Sequence, residues 1–107
     1  MADATVVNEA YIPLKALGGG KLVAHIGNAT WDAYDSVTNE LPTDLANIRE
    51  AIITPGGYVA AAAVGAQVMS CDRTVSSDKV TIERKVTGDT SGGGPDTFSF
   101  VLIGEIT

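Results

Sequence analysis

The sequence predicts an all-β fold, a small β-sandwich or jelly roll of six to eight antiparallel strands with an extended N-terminal arm. Residues 79–87 alternate apolar and polar side chains, as a strand with one buried face does. Residues 97–107 form a second β-rich run, and turn signals recur about every ten residues, which is typical of a sandwich. Ala, Val, Ile, Gly and Thr dominate the composition, and these small and β-branched residues favour closely packed sheets.

Length and charge limit the possible classes of protein. The 107 residues predict one domain, which we divide into an arm at residues 1–20 and a sandwich at residues 21–107. The net charge is −6 and no Lys/Arg cluster occurs, so we expect neither nucleic acid nor an anionic membrane as partner. Cys71 is the single cysteine, which excludes an internal disulfide, and we expect no cofactor and no metal. The N-terminus does not resemble a signal peptide, so we expect synthesis in the cytosol.

The arm is predicted to hold one short strand at residues 5–7. Pro13 is expected to interrupt any longer helix or central strand, and a triple glycine at residues 18–20 separates the arm from the body. Such an arm either packs on a neighbouring copy or lies across its own core, and the sequence leaves both alternatives open.

The middle of the chain gives weaker signals. Residues 21–27 predict a strand, 28–30 a turn, 31–36 a strand or a loop, and 37–42 a loop. Thr43 or Asp44 could cap a helix, and we predict one helical turn at residues 44–47 followed by a strand that ends at Thr54. Residues 58–70 contain four consecutive alanines, but their valines and flanking glycines favour a strand over a helix.

The two β-rich runs near the C-terminus predict a long antiparallel hairpin around the Gly/Pro/Asp-rich residues 88–96. Arg84 falls on the inward side of the first run, so it requires a sheet edge or a carboxylate partner. In the second run Phe98, Phe100 and Leu102 share one side. Val101 and Ile103 lie on the other side, which predicts a strand covered on both faces, by a second layer or by another subunit.

Residues suited to catalysis are few. His25 is the only histidine, so a Ser-His-Asp type of site would have to be centred on it, and a partly buried, hydrogen-bonded histidine is the favoured interpretation. Trp31, Tyr34 and the acids Asp32 and Asp35 interleave aromatic rings with carboxylates, which suits sugar stacking or a calcium site. The favoured interpretation of Trp31 and Tyr34 is that they are core or interface anchors.

Three segments resemble small virion structural proteins of tailed bacteriophages. They are Gly20-Lys-Leu-Val, Leu45-Ala-Asn-Ile-Arg-Glu-Ala-Ile-Ile-Thr-Pro-Gly-Gly, and the run from Lys79-Val-Thr-Ile-Glu-Arg to Thr97-Phe-Ser-Phe-Val-Leu-Ile-Gly. Together they cover about half of the chain and form a pattern of strands rather than a catalytic signature. The Ala-rich middle and the final Glu105-Ile-Thr depart from the family's pattern, which leaves capsid decoration, tail and spike proteins open.

The resemblance implies a non-enzymatic cement or decoration protein that oligomerises, commonly as a trimer, on the outer surface of the phage head. The implied partners are the major capsid protein and further copies of the chain, and the implied location is the virion after assembly in the host cytoplasm. A carbohydrate- or receptor-binding module of a phage tail or spike is the alternative. The residues expected to carry the contacts between proteins are Val6, Val7, Tyr11, Ile12, Leu14, Trp31 and Tyr34.

Overall fold

The computed structural model describes residues 3–14, 21–32, 38–55, 67–86 and 97–106. Every regular element within these ranges is a β-strand, and the strands pack as a small sandwich of two antiparallel sheets. The seven strands are β1 (Thr5–Pro13), β2 (Leu22–Thr30), β3 (Thr38–Pro42), β4 (Leu45–Pro55), β5 (Gln67–Cys71), β6 (Lys79–Val86) and β7 (Thr97–Ile106). The predicted all-β sandwich is therefore confirmed.

The two sheets contain four and three strands. The larger has the order β1-β2-β7-β4 and the smaller has the order β3-β6-β5. Only β1–β2 and β5–β6 are both consecutive in the chain and paired, and the chain changes sheet at each of the four other connections. All five strand pairings are antiparallel.

The predicted C-terminal hairpin is wrong, although both of its strands exist. β6 is the central strand of the smaller sheet, while β7 lies between β2 and β4 in the larger sheet. β6 pairs with the short strands β3 and β5, and β7 pairs with β2 from Thr97 to Glu105. The two strands therefore belong to different sheets, and their apolar sides contribute to one core cluster between the sheets.

Several predicted boundaries in the first half of the chain are also wrong. The short strand expected at residues 5–7 is the nine-residue β1, and Pro13 is its last residue. The turn expected at residues 28–30 belongs to β2, and part of the loop expected at residues 37–42 is β3. β1 and β3 are both edge strands, where proline is tolerated because one side of the backbone needs no partner.

The helical turn expected at residues 44–47 is wrong as well. Thr43 accepts a hydrogen bond from the backbone N–H of Leu45 through its hydroxyl oxygen at 3.2 Å, and β4 begins at Leu45. Leu45 then pairs with Ile106 of β7, so pairing with a distant strand prevails over a weak local capping signal. Of the strand predicted at residues 58–70, only the end is described, as β5; residues 56–66 lie outside the described ranges, as does the predicted loop at 88–96.

The core lies between β7 and β6. Phe98, Phe100 and Leu102 are at most 1% exposed, as their predicted common side requires, and Val80 and Ile82 meet them from the smaller sheet. Each such side chain contributes about 1.5–3 kcal/mol through its burial. The same cluster includes the residues Ala4, Ala29, Trp31, Leu41 and Leu45.

Arg84 is fully buried, although it lies on the central strand of its sheet rather than near an edge. Its guanidinium carbon lies 4.6 Å from the centroid of the Trp31 ring, so the cation is placed over an aromatic face. Trp31 in turn meets Phe98 edge-on, with 6.0 Å between the ring centroids. Trp31 and Arg84 thus extend the core toward one end of the sandwich.

Each inner strand of the larger sheet carries one glycine where the neighbouring edge strand bulges. β1 has a register shift between Val6 and Asn8, and a Cβ atom at Gly27 of β2 would overlap the backbone oxygen of Asn8. β4 has register shifts on both sides of Asn47 and Ile48, and a Cβ atom at Gly104 of β7 would overlap the backbone oxygen of Asn47. The bulged parts of β1 and β4 therefore depend on Gly27 and Gly104, because the backbones approach too closely there for a side chain.

Candidate functional site

The sole histidine lies at the centre of a polar cluster that joins β1, β2 and the segment before β4. His25 is fully buried, with Nε2 2.6 Å from Glu9 Oε2 and Nδ1 2.9 Å from Thr43 Oγ1. An ionised Glu9 carboxylate can only accept hydrogen bonds, so Nε2 of His25 carries the proton. In a neutral imidazole ring, Nδ1 then accepts a hydrogen bond from the hydroxyl of Thr43. The predicted hydrogen bonding of His25 is confirmed, whereas the residue is fully buried rather than partly buried as predicted.

Aromatic rings enclose the same histidine. The Tyr11 ring stacks on His25, with 4.0 Å between centroids and 11° between planes, and Phe100 meets it edge-on at 4.9 Å. The Tyr11 hydroxyl accepts the backbone N–H of Asp44 at 2.9 Å. Burial raises the pKa of the Tyr11 hydroxyl above 10.0, and the Asp44 N–H partly offsets that increase.

The Glu9–His25–Thr43 arrangement has the residue types of a catalytic triad but not the access that one needs. Thr43 is 3% exposed, and its oxygen already accepts the N–H of Leu45. A nucleophile must reach a substrate, and this hydroxyl is enclosed. The cluster instead fastens the edge strand β1 to the sheet, because Glu9 and Tyr11 both belong to β1.

The residues predicted to contact other proteins are distributed over three environments. Val6 and Tyr11 face inward and pack against the core, and Trp31 is 7% exposed within it. Leu14 is half-buried just after β1, and its N–H donates to the carbonyl of Leu22. Val7 and Ile12 are 60% and 43% exposed. Tyr34 lies outside the described residues, and the interface role of all seven stays a prediction.

Residues paired across neighbouring strands lie on the same face of a sheet and so form rows across the strands. The outer surface of the four-stranded sheet carries two neighbouring rows whose side chains are mainly apolar. In the first row, every strand contributes an apolar residue. In the second, one charged residue ends the row. The first row is Ala10, Ile26, Val101 and Ile52; the second is Ile12, Ala24, Ile103 and Glu50. We call these eight residues the apolar face.

A row of uncharged polar side chains borders the apolar face. It consists of Asn8, Asn28, Ser99 and Thr54, one from each strand, and the amides of Asn8 and Asn28 are 3.4 Å apart. We call it the polar row. Beside it Val7 helps to line an open depression of about 280 Å³. On the opposite side of the apolar face, Glu105 accepts a hydrogen bond from the exposed Arg49 at 2.9 Å.

The outer surface of the three-stranded sheet has a different character. Its described outward residues are Thr38, Glu40, Pro42, Val68, Ser70, Lys79, Thr81 and Glu83. Val68 is the one large hydrophobic residue among them that is strongly exposed, and Lys79 is paired with Asp3 at 2.9 Å. One side of the sandwich is therefore apolar and the other polar, and we call the second surface the polar face.

The strand edges are protected against pairing with another chain. β1 carries a bulge, the inward-pointing charge of Glu9 and a terminal proline, and β4 carries two bulges and ends at Pro55. Arg73 donates to the carbonyl oxygen of Arg49 at 3.0 Å on the bulged part of β4. Bulges, prolines and inward charges are the devices that prevent edge-to-edge association, so the faces rather than these two edges are available for contacts.

The described residues contain neither a candidate metal cluster nor a candidate membrane-spanning helix. Within residues 3–14, 21–32, 38–55, 67–86 and 97–106, no group of three or more His, Cys, Asp and Glu side chains could hold a metal ion. In the same ranges there is no helix long and apolar enough to cross a membrane. Burial raises the pKa of the Cys71 thiol above 9.0, which lowers its reactivity at neutral pH.

Comparisons of the chain with protein-family models, with curated proteins and with solved structures found no match. The sandwich, its apolar face and the enclosed histidine cluster are therefore the observations from which a function is argued.

Proposed function

We propose that this chain is a non-enzymatic structural protein of a tailed-bacteriophage virion, a cement or decoration protein. In this proposal it binds the lattice of the major capsid protein as a homo-oligomer, lies on the outer surface of the head and stabilises it. The resemblance of residues 20–23, 45–57 and 79–104 to such proteins suggests the class.

The observation that carries the proposal is the difference between the two outer surfaces of the sandwich. A protein that assembles with further copies on a head needs one surface that gains from being covered by another protein and one that is stable in water. The apolar face has Ile52 at 56% and Ile12 at 43% exposure, whereas the polar face presents mostly Thr, Ser and charged residues. Exposed apolar patches on small proteins are typical of contact surfaces.

The enclosed histidine cluster supports a role in association rather than in catalysis. Both ring nitrogens of His25 are engaged, and the one hydroxyl beside them is covered. The sugar-binding alternative loses support at Trp31, because that ring is 7% exposed and one face is occupied by the Arg84 guanidinium. A stacking platform for a sugar has to present an open ring face, so the described residues favour the structural role.

The proposal is tested by binding to phage heads. Heads would be purified from a tailed phage whose major capsid gene neighbours this coding sequence, incubated with the protein and sedimented. We expect saturable co-sedimentation at a fixed ratio to capsid subunits, because lattice sites are countable and act together. We also expect the heads to release DNA at a higher temperature when the protein is bound.

An unrelated acidic protein of similar size is the control for trapping in the pellet. Failure to co-sediment, together with retention on a glycan column, would overturn the proposal in favour of the carbohydrate-binding alternative. Binding without any change in DNA release would contradict the cement role and leave a peripheral structural protein.

A further inference from the structure

The apolar face also indicates what covers it. We propose that the outer surface of the four-stranded sheet binds the same surface of a second copy, about a two-fold axis parallel to the strands. This rests on the proposed function only for the statement that the protein assembles, and it replaces the trimer that the resemblance implies by a dimer.

Self-complementarity is the first argument. A two-fold axis parallel to the strands places each row of the face over the same row of the second copy, with β1 of one copy over β4 of the other. The apolar rows then cover each other. The polar row also meets itself, and its Asn, Ser and Thr side chains both donate and accept hydrogen bonds, so they can pair with their own kind. A two-fold axis parallel to the rows, and therefore perpendicular to the strands, would instead place the polar row of one copy against Leu22 and Glu105 of the other.

Charge is the second argument. The whole chain carries −6, so copies repel one another at most orientations. The apolar face contains one carboxylate, Glu50 at its β4 end, and the neighbouring Glu105 is paired with Arg49. Two copies that meet through this face therefore bring little unpaired charge together, whereas the polar face would oppose Glu83, on the central strand of its sheet, with its counterpart.

Area is the third argument. Four strands spaced about 4.8 Å apart and about 30 Å long present roughly 600 Å² of sheet surface per copy. Two copies would bury about 1,200 Å² in total, which is at the lower limit of specific protein interfaces. We therefore expect a reversible dimer whose population depends on protein concentration. The protected edges of β1 and β4 are consistent with contact through the face.

The register of this dimer makes a specific electrostatic prediction. Ile12 and Glu50 end the same row on opposite edge strands, so Ile12 of one copy lies over Glu50 of the other. Ile12→Glu places two carboxylates together at both ends of the interface and should weaken dimerisation at least tenfold. Ile12→Lys places a cation over Glu50 and should retain the dimer, although both variants remove the same apolar side chain.

Size-exclusion chromatography with light scattering over a range of concentrations is the experiment, with melting curves to confirm that each variant folds. The matched control is Val68→Glu, which adds the same charge at a 51% exposed valine on the polar face and should leave the dimer constant unchanged. The double variant Ile12→Glu/Glu50→Lys should restore the dimer that Ile12→Glu loses.

Three results would overturn the inference. They are a wild-type protein that stays monomeric or forms a trimer, an equal loss of the dimer in Ile12→Glu and Ile12→Lys, and a loss in Val68→Glu as large as that in Ile12→Glu. Co-sedimentation with heads tests the proposed function independently of the dimer. If heads bind a monomeric wild-type protein, the dimer is refuted and the proposed function is retained. If the wild-type protein is a dimer that does not bind heads, the dimer is retained and the proposed function is refuted.

Discussion

Gly104→Ala tests whether the larger sheet depends on the close approach of β4 to β7. A Cβ atom at this position would overlap the backbone oxygen of Asn47 and lie 2.8 Å from its carbonyl carbon and 3.1 Å from Ile48 Cα. All three are backbone atoms of the bulged edge strand, so no side-chain rotation relieves the contact. β4 must move away by more than half an ångström, because ordinary contacts to a Cβ begin near 3.4 Å.

The expected cost combines overpacking with weakened strand pairing. Overpacking of a tight site costs about 1–3 kcal/mol, and two weakened hydrogen bonds add about 0.5–1.5 kcal/mol each. We therefore expect a loss of about 3 kcal/mol in the free energy of unfolding. That loss lowers the Tm by roughly 12–20 °C in a domain of this size.

Chemical denaturation and thermal melting measured by circular dichroism give the comparison. Thr97→Ser is the matched control, since it changes an exposed residue on the same strand outside the apolar face and the polar row, and it should shift the unfolding free energy by less than about 0.5 kcal/mol. A Gly104→Ala protein as stable as Thr97→Ser would refute the statement that the bulged part of β4 requires glycine.

Three further predictions concern the core and the polar cluster. Leu102→Ala, at a fully buried position, should lower the free energy of unfolding by about 2–5 kcal/mol in urea titrations. His25→Ala should cost about 2–4 kcal/mol, because it leaves a cavity and removes the partner of Thr43; a loss under 0.5 kcal/mol would contradict the structural role of the cluster. Folding raises the pKa values of Tyr11 and Cys71 above 10.0 and 9.0, so the unfolded chain releases these protons first. The contribution of these two groups to stability should therefore be constant below about pH 9 and fall above it, and Tyr11→Phe should reduce the fall in denaturation curves above pH 10.

The existence of the last two strands could be predicted from the sequence, whereas their partners could not. Alternation along β6 and β7 is a local property, so it identifies each strand and its inward side chains. Pairing depends on surfaces that are distant in sequence, and a Gly-rich connection is compatible with a hairpin as well as with a crossing between sheets. The buried side of β7 was therefore predicted correctly and its neighbours β2 and β4 were not.

The short strands show a different limit of sequence-based reasoning. β3 contains one strongly apolar residue, Leu41, and ends at Pro42, so its five residues resemble a loop. It is a strand because Asn39 and Leu41 point into the core while the backbone pairs with β6. This strand forms because of pairing and packing in the tertiary structure, and the local strand propensity of its residues does not predict it.

The candidate site was predicted only in part, for a related reason. Val101 and Ile103 were placed on a second apolar side of β7, which anticipates the centre of the apolar face. Ile26 and Ile52 join them only through the strand register, which is fixed after folding. The cluster around His25 likewise required the pairing of β1 with β2, since Glu9 and His25 lie sixteen residues apart in the chain.

Methyl NMR of the isoleucine side chains tests the central claim, that the apolar face is the surface through which this protein associates. The chain carries its own internal control, because Ile12, Ile26, Ile52 and Ile103 lie on that face while Ile82 is fully buried in the core. With rising protein concentration, we expect the methyl signals of the four outer isoleucines to shift together and that of Ile82 to stay constant. Signals of the outer isoleucines that do not change while the protein self-associates would contradict the claim.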